Sequence, residues 1–270
     1  MADLQRALLG LGRLDELARG ESPVHRIDPR AKVATGLFFA AAVVSFDRTT
    51  VAALMPYAFF PVYLARRGGV PIGFLARRLA VAMPFALAVA LPNPFFDRAE
   101  VFRVGPVGVT GGWLSLASVM VRFVLTAGAA LALAATTGIS GICRGLAGLG
   151  VPRAVVTQLL LLYRYLFVLL EEGLRTLRAW RLRSFAPGPP PLRLFVPMAG
   201  RLLLRTLDRS GRLHMAMLAR GFDGRVHAVR PLRFGPRDVA FLAGWTFFFA
   251  AARWVDLSAW LGRLATGGLP

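Results

Sequence analysis

The run "WLSLASVMVRFVLTAGAALALAATT", Trp113 to Thr137, decides the fold class: it is long, apolar and carries a single charge, Arg122. About 20 such residues span the hydrocarbon core of a bilayer as a helix, whose backbone satisfies its own hydrogen bonds. An arginine inside such a span is costly and faces protein or water rather than lipid. Working outward, further apolar runs occupy 33–46, 50–65, 75–91 and 239–254, giving five spans. The first two, split by Asp47-Arg48, read as a helical hairpin. In the third, Arg77 and Arg78 lie near one end, where their heads can snorkel toward water. Residues 92–112, "PNPFFDRAEVFRVGPVGVTGG", are turn-rich and read as a non-helical loop.

Composition agrees with an all-α integral membrane protein. The 270 residues are 56% hydrophobic, yet the formal net charge is +19. All basic residues but Lys32 are arginine. Charge of this size fits nucleic acid, a membrane surface or an acidic protein partner. The nearly charge-free runs exclude a soluble nucleic-acid binder. The lone Cys143 excludes an internal disulfide. No cleavable signal peptide is expected at residues 1–32, which are polar and amphipathic. Within them, 3–19 has Leu4, Leu8, Leu11 and Ala18 at helical spacing, which fits either an interfacial helix or one packed on the rest of the protein.

The arginines are concentrated. Residues 138–237 hold seventeen arginines against Glu171, Glu172, Asp208 and Asp223, a net charge of +13. With five spans and the N-terminus in the cytoplasm, the cytoplasmic segments carry twenty-seven basic residues and the opposite side five. That is the positive-inside asymmetry, so a multi-pass protein of the cell membrane with a cytoplasmic N-terminus is expected. The division is then a cytoplasmic N-terminal segment (1–32), spans one to four (33–137), a cytoplasmic region (138–237), and a last span with a tail (238–270). Within the cytoplasmic region, 154–170 is apolar enough for a sixth span. Its return crossing would have to be "LRLFVPMAGRLLLR", interrupted by Pro197 and Arg201. Residues 154–184 therefore read as a long helix at the cytoplasmic edge, buried against the other helices. A second helix, 193–221, places Arg201, Arg205, Arg209 and Arg212 on one stripe and Leu203, Leu207, Leu213 and Met217 opposite. The arginine stripe reads as a solvated face. "APGPPP" (186–191) separates the two helices.

Several chemistries lack their parts. "GISG" (138–141) matches the Gly-x-Ser-Gly pattern of intramembrane serine proteases, but His25, His214 and His227 all lie outside the spans, leaving no base. "EEGLR" (171–175) lacks the histidine-bearing helices of a metalloprotease, and its glutamates are expected to pair along the helix with Arg175 and Arg178. No phosphate-binding Gly-x-x-x-x-Gly-Lys loop is present. No catalytic residue, cofactor or metal site is assigned. A stand-alone channel or secondary carrier remains the alternative from another class, and it predicts inverted repeats with polar groups meeting at mid-membrane.

Three segments in order, "SPVHRIDPRAK" before the first span, "LGVPRAVVTQLLLLYRYLFVLLEE" (149–172) and "MLARGFDGR" (217–225), resemble the transmembrane coupling (T) components of energy-coupling factor transporters, in particular the cobalt/nickel CbiQ type. The resemblance covers nearly the whole chain. It implies a non-catalytic subunit joining two ABC-type ATPases to a substrate-binding membrane (S) subunit, for cobalt or nickel uptake, within membrane lipid and without nucleic acid. It also implies that two arginine triplets ending the coupling helices seat on the ATPases. Ala219-Arg220-Gly221 matches that pattern fully. Leu182-Arg183-Ser184 takes the first position, where the family has small residues around the arginine; Arg181 is the competing anchor.

Overall fold

A computed structural model describes residues 12–13, 15–47, 51–96, 100–104, 107–184, 190–224 and 234–254. Its elements are helices α1 (Pro29–Val44), α2 (Phe59–Arg67), α3 (Ile72–Ala90), α4 (Gly111–Gly148), α5 (Arg153–Ser184), α6 (Leu192–Ala219) and α7 (Pro236–Trp254). A 3-10 segment, Ala52–Ala58, leads into α2, and a single turn, Asn93–Phe96, follows α3. The described residues are otherwise α-helical except for one antiparallel hairpin, β1 (Glu100–Val104) with β2 (Val107–Thr110). The hairpin is non-helical, as expected for 92–112, whereas the helical turn Asn93–Phe96 departs from that expectation. "EVFRV" and "VGVT" are rich in β-branched and aromatic residues around Gly105-Pro106, which is a strand–turn–strand signal.

Among the described residues, three helices are long and apolar enough to cross a membrane: Ile72–Phe95, Gly111–Gly148 and Arg153–Ser184. The runs at 33–46 and 50–65 form shorter pieces, the latter with Pro56 inside the 3-10 segment. The chain divides into two compact units.

In the larger unit (14–145 with 232–270), α1 packs along α7. Both helices start alike, as Asp28-Pro29-Arg30 and Gly235-Pro236-Arg237. Proline suits the first helical position because its missing N–H has no helical partner there. The Asp28 carboxylate accepts from the Arg30 amide at 2.8 Å and caps α1. Asp238, buried in the first turn of α7, accepts from the Gly235 amide at 2.8 Å and from the Asp28 amide at 2.7 Å. One carboxylate thus closes its own helix and ties the starts of both together. Above this joint the core is aromatic. Phe39, Phe60, Trp245 and Phe249 interlock, with Phe60 edge-on to Trp245 at 4.9 Å between centroids. Such pairs add about 0.5–1.5 kcal/mol beyond area burial. The buried Tyr57 hydroxyl donates to the Phe249 carbonyl at 2.8 Å, so its polar tip is satisfied.

Arg122 donates to the main-chain carbonyl of Asp47 at the turn after α1. Arg253 reaches the same turn, donating to Ser45 O at 3.2 Å and lying 4.3 Å over the Phe46 ring. The single charge of the "WLSL…" run therefore faces protein, as its cost in hydrocarbon requires.

Helix α4 is broken at Gly138, whose φ of 67° and ψ of 157° belong to a region essentially restricted to glycine. The break frees the preceding carbonyls, and the buried Lys32 Nζ donates to Thr136 O at 3.1 Å. Asp28 and Asp238 supply compensating negative charge nearby. "GISG" is thus the point at which this long helix is interrupted. Before α1, Leu17 packs against the core and its carbonyl accepts from His25 Nε2 at 2.9 Å. For the described part of the N-terminal region, this favours packing on the protein over lying on a membrane.

Candidate functional site: the arginine-ended helix pair

The smaller unit is built on α5 and α6. At about 1.5 Å per residue the two helices are roughly 48 and 42 Å long. Two contacts fix their relation. Thr157 at the start of α5 donates to Gly224 O just beyond α6 at 3.3 Å, and Arg205 bonds Glu172 at 2.8 Å. The pair is therefore antiparallel, and its two triplets lie at opposite ends. Along the helices, at about 1.5 Å per residue, Arg183 and Arg220 are separated by up to roughly 40 Å.

The Ala219-Arg220-Gly221 end has a defined closure. Ala219 is the last helical residue, Arg220 the cap, and Gly221 turns left-handed at φ 76°. The Phe222 amide donates to Met217 O at 3.0 Å and the Gly221 amide to Leu218 O at 2.9 Å. These two bonds are the Schellman motif, and Phe222 and Met217 line one cavity, as its apolar contact requires. The closure satisfies the last carbonyls with backbone alone, which leaves the Arg220 side chain free of any capping duty. All three triplet residues are exposed.

At the other end, Leu182 is 80% exposed, Arg183 is exposed, and Ser184 is half-buried. The Ser184 Oγ is buried with no hydrogen-bond partner among the described residues. Arg183 lines a groove between the helices of about 620 Å³, which Arg181 does not. Neither Arg183 nor Arg220 forms an ion pair with another described residue.

Two expectations about this pair are corrected. The stripe bearing Arg201, Arg205 and Arg209 does not face only solvent: these residues line the grooves facing α5, beside Leu202, Thr206 and Leu213. Leu203 and Leu207 instead point away, 60% and 57% exposed. Periodicity defines two faces of a helix but not which one meets the neighbour. The pairing of both glutamates along α5 is the second. Glu171 pairs along the helix with Arg175 at 3.7 Å, whereas Glu172 turns to Arg205 on α6. Only Val156 and Leu174 are buried along α5, and no residue of α6 is. The residues that sequence reasoning missed are Arg175, Arg201 and Glu172 as groove-lining groups; only the pairing of the two helices reveals them. "APGPPP" lies largely outside the described residues.

Sequence comparison with known proteins places the chain in a family. A family model described as cobalt transport protein, CbiQ, matches residues 20–229. The energy-coupling factor transporter transmembrane protein EcfT of Heliobacterium modesticaldum is 30% identical over 241 residues, covering 82% of this chain and 88% of that protein. The cobalt transport protein CbiQ of Rhodobacter capsulatus is 31% identical over 167 residues, 58% of this chain and 68% of that one. The nickel permease LarQ of Lactiplantibacillus plantarum is 36% identical over 95 residues, 35% of this chain and 34% of that one. Since both the family match and the EcfT relative span most of its length, the chain belongs to the CbiQ family, the transmembrane (T) components of energy-coupling factor transporters.

Proposed function

We propose that this chain is the non-catalytic coupling subunit of a cobalt or nickel importer, seating two ABC-type ATPases on the arginine ends of α5 and α6. The observation that carries this reading is the pair of exposed arginines, Arg183 and Arg220, at opposite ends of one antiparallel helix pair. One ATPase at each end fits that spacing. A guanidinium at a helix end presents a planar fork that matches a carboxylate bidentately. ATPase closure would then move the pair as a rigid body and pass the motion to the membrane part and its S subunit. The proposed orientation places the N-terminus and residues 138–237 on the ATP side. The cobalt or nickel assignment rests on the relatives' names.

The test is uptake and ATP hydrolysis by the complex reconstituted with its ATPases and S subunit, using both metals. Truncating one partner of a buried interfacial charge pair costs about 2–5 kcal/mol. Arg220→Ala should therefore weaken ATPase association or uncouple hydrolysis from uptake, and Arg220→Lys should rescue it only partly. Arg183→Ala should act in the same direction more mildly, and the double variant should abolish uptake while still inserting. Normal coupling in the double variant would refute the proposal.

A further inference from the structure

At the Arg183 end, the groove between α5 and α6 concentrates positive charge. Arg175 and Arg183 from α5 and Arg201 and Arg205 from α6 line about 620 Å³, with Glu172 the one acid in its described lining. Arg205 is committed to Glu172 at 2.8 Å. Arg175 meets Glu171 at 3.7 Å with both side chains largely exposed, an ion pair weak enough to be exchanged for a better one. Arg183 and Arg201 have no carboxylate partner among the described residues. All four arginines are exposed, so the groove is open to a partner from outside.

The Arg220 end is built differently. The groove there, about 440 Å³, is lined by Leu161, Leu162, Val168, Leu213 and Met217, with Arg209 the one arginine in its described lining. Both triplets present an exposed arginine, but only the Arg183 triplet opens onto a bed of further guanidinium groups. Their spacing limits what that bed can hold. Arg175 and Arg183 are eight residues apart on α5, about 12 Å along the axis, and Arg201 lines the same groove from α6. One phosphate is too small to engage the whole set. A peptide with carboxylates spaced along it offers each guanidinium its own planar partner. Trp180 and Met198, in the same lining, supply apolar surface for the stems of its side chains.

We propose that this groove receives an acidic segment of the ATPase seated at Arg183, with two or more of its carboxylates paired to Arg175, Arg183 and Arg201. This rests on the coupling role proposed above and adds a surface to it: the contact at Arg183 continues from the helix end into the groove. The two ATPase seats then differ in kind. The seat at Arg183 draws on several charge pairs, whereas the seat at Arg220 has one terminal arginine beside an apolar groove. Partly exposed interfacial charges of this sort act mainly on the association rate and on its salt dependence.

Binding of the ATPases to the full chain in lipid nanodiscs, measured across a range of salt concentrations, tests this. Arg175→Gln with Arg201→Gln should raise Kd roughly thirtyfold at low salt, the loss of two partly exposed charge pairs, and the difference should shrink as salt rises. Arg178→Gln with Arg212→Gln removes the same charge outside the groove and should leave Kd unchanged. In the assembled transporter, the photo-crosslinker p-benzoylphenylalanine in place of Trp180 should join to an Asp- or Glu-rich peptide of an ATPase, identified by mass spectrometry. Equal loss in the control pair, a loss independent of salt, or a cross-link confined to lipid or to the S subunit would each overturn the proposal. Arg183→Ala and Arg220→Ala separate its failure from that of the coupling role. If they weaken binding while Arg175→Gln with Arg201→Gln does not, the groove proposal alone falls. If neither triplet arginine matters to binding, the coupling role falls and takes the groove proposal with it.

Discussion

The Arg205–Glu172 bridge joins α5 to α6 with its arginine side chain 70% exposed, so solvent screens much of its attraction. Exposed pairs are worth about 0–1 kcal/mol. A double-mutant cycle between Arg205→Ala and Glu172→Ala should return a coupling energy within that range, measured as thermal stability of the purified chain. His25 is a sharper case. Its Nε2 donates to Leu17 O at 2.9 Å, and in the neutral ring its Nδ1 accepts from the Ser22 hydroxyl at 2.7 Å. Burial pulls its pKa below the ordinary 6.5, with the Leu17 bond opposing and Lys32 adding to the effect. A depressed histidine pKa gives stability that is complete above the unfolded value and lost as pH falls through the folded one. Tm should therefore drop between pH 7 and pH 5, and His25→Gln should flatten that dependence. An unchanged slope in the variant would remove His25 as its source.

Among the elements, three helices end by one backbone device. After α2, the Val70 amide bonds Ala65 O at 2.9 Å around Gly69; after α4, Val151 bonds Leu146 O at 3.1 Å around Gly150; after α6, Phe222 bonds Met217 O around Gly221. All three glycines have positive φ, and in the first two a Val-Pro follows that cannot continue a helix. The apolar runs and the helix end at Ala219-Arg220-Gly221 were read from the sequence; the stops at Gly69 and Gly150 and the proline-led starts carry equally local signals that were not. What was not legible depended on neighbours. The face of α6 that meets α5, the partner of Glu172 and the break at Gly138 follow from packing that no local pattern encodes. Gly138→Ala should lower stability by about 1–3 kcal/mol, since alanine resists that backbone region. Its Cβ would also stand 3.1 Å from the Ala18 Cβ. Gly211→Ala, inside α6 with nothing within 4 Å of the added Cβ, should stabilise by about 0.5–1 kcal/mol. Thermal melts of the two variants should move in opposite directions.

For the molecule as a whole, the side of the membrane on which α5 and α6 lie decides between a cytoplasmic region at 138–237 and an extra crossing by α5, whose length and composition permit one. A cysteine placed in 186–191, with Cys143 replaced, should label only from the cytoplasmic face; labelling from outside would invert the topology. The same experiment draws attention to how few nucleophiles the folded chain offers. Its only lysine is held against Thr136 O at 2% exposure, and its only cysteine is 3% exposed in the same unit. A reagent directed at amines or thiols, such as an N-hydroxysuccinimide ester or a maleimide, thus finds both of these side chains buried. The larger unit therefore carries its own chemical clock: the rate at which Lys32 and Cys143 become derivatised reads how often the joint around Asp28, Asp238 and the broken turn of α4 comes open.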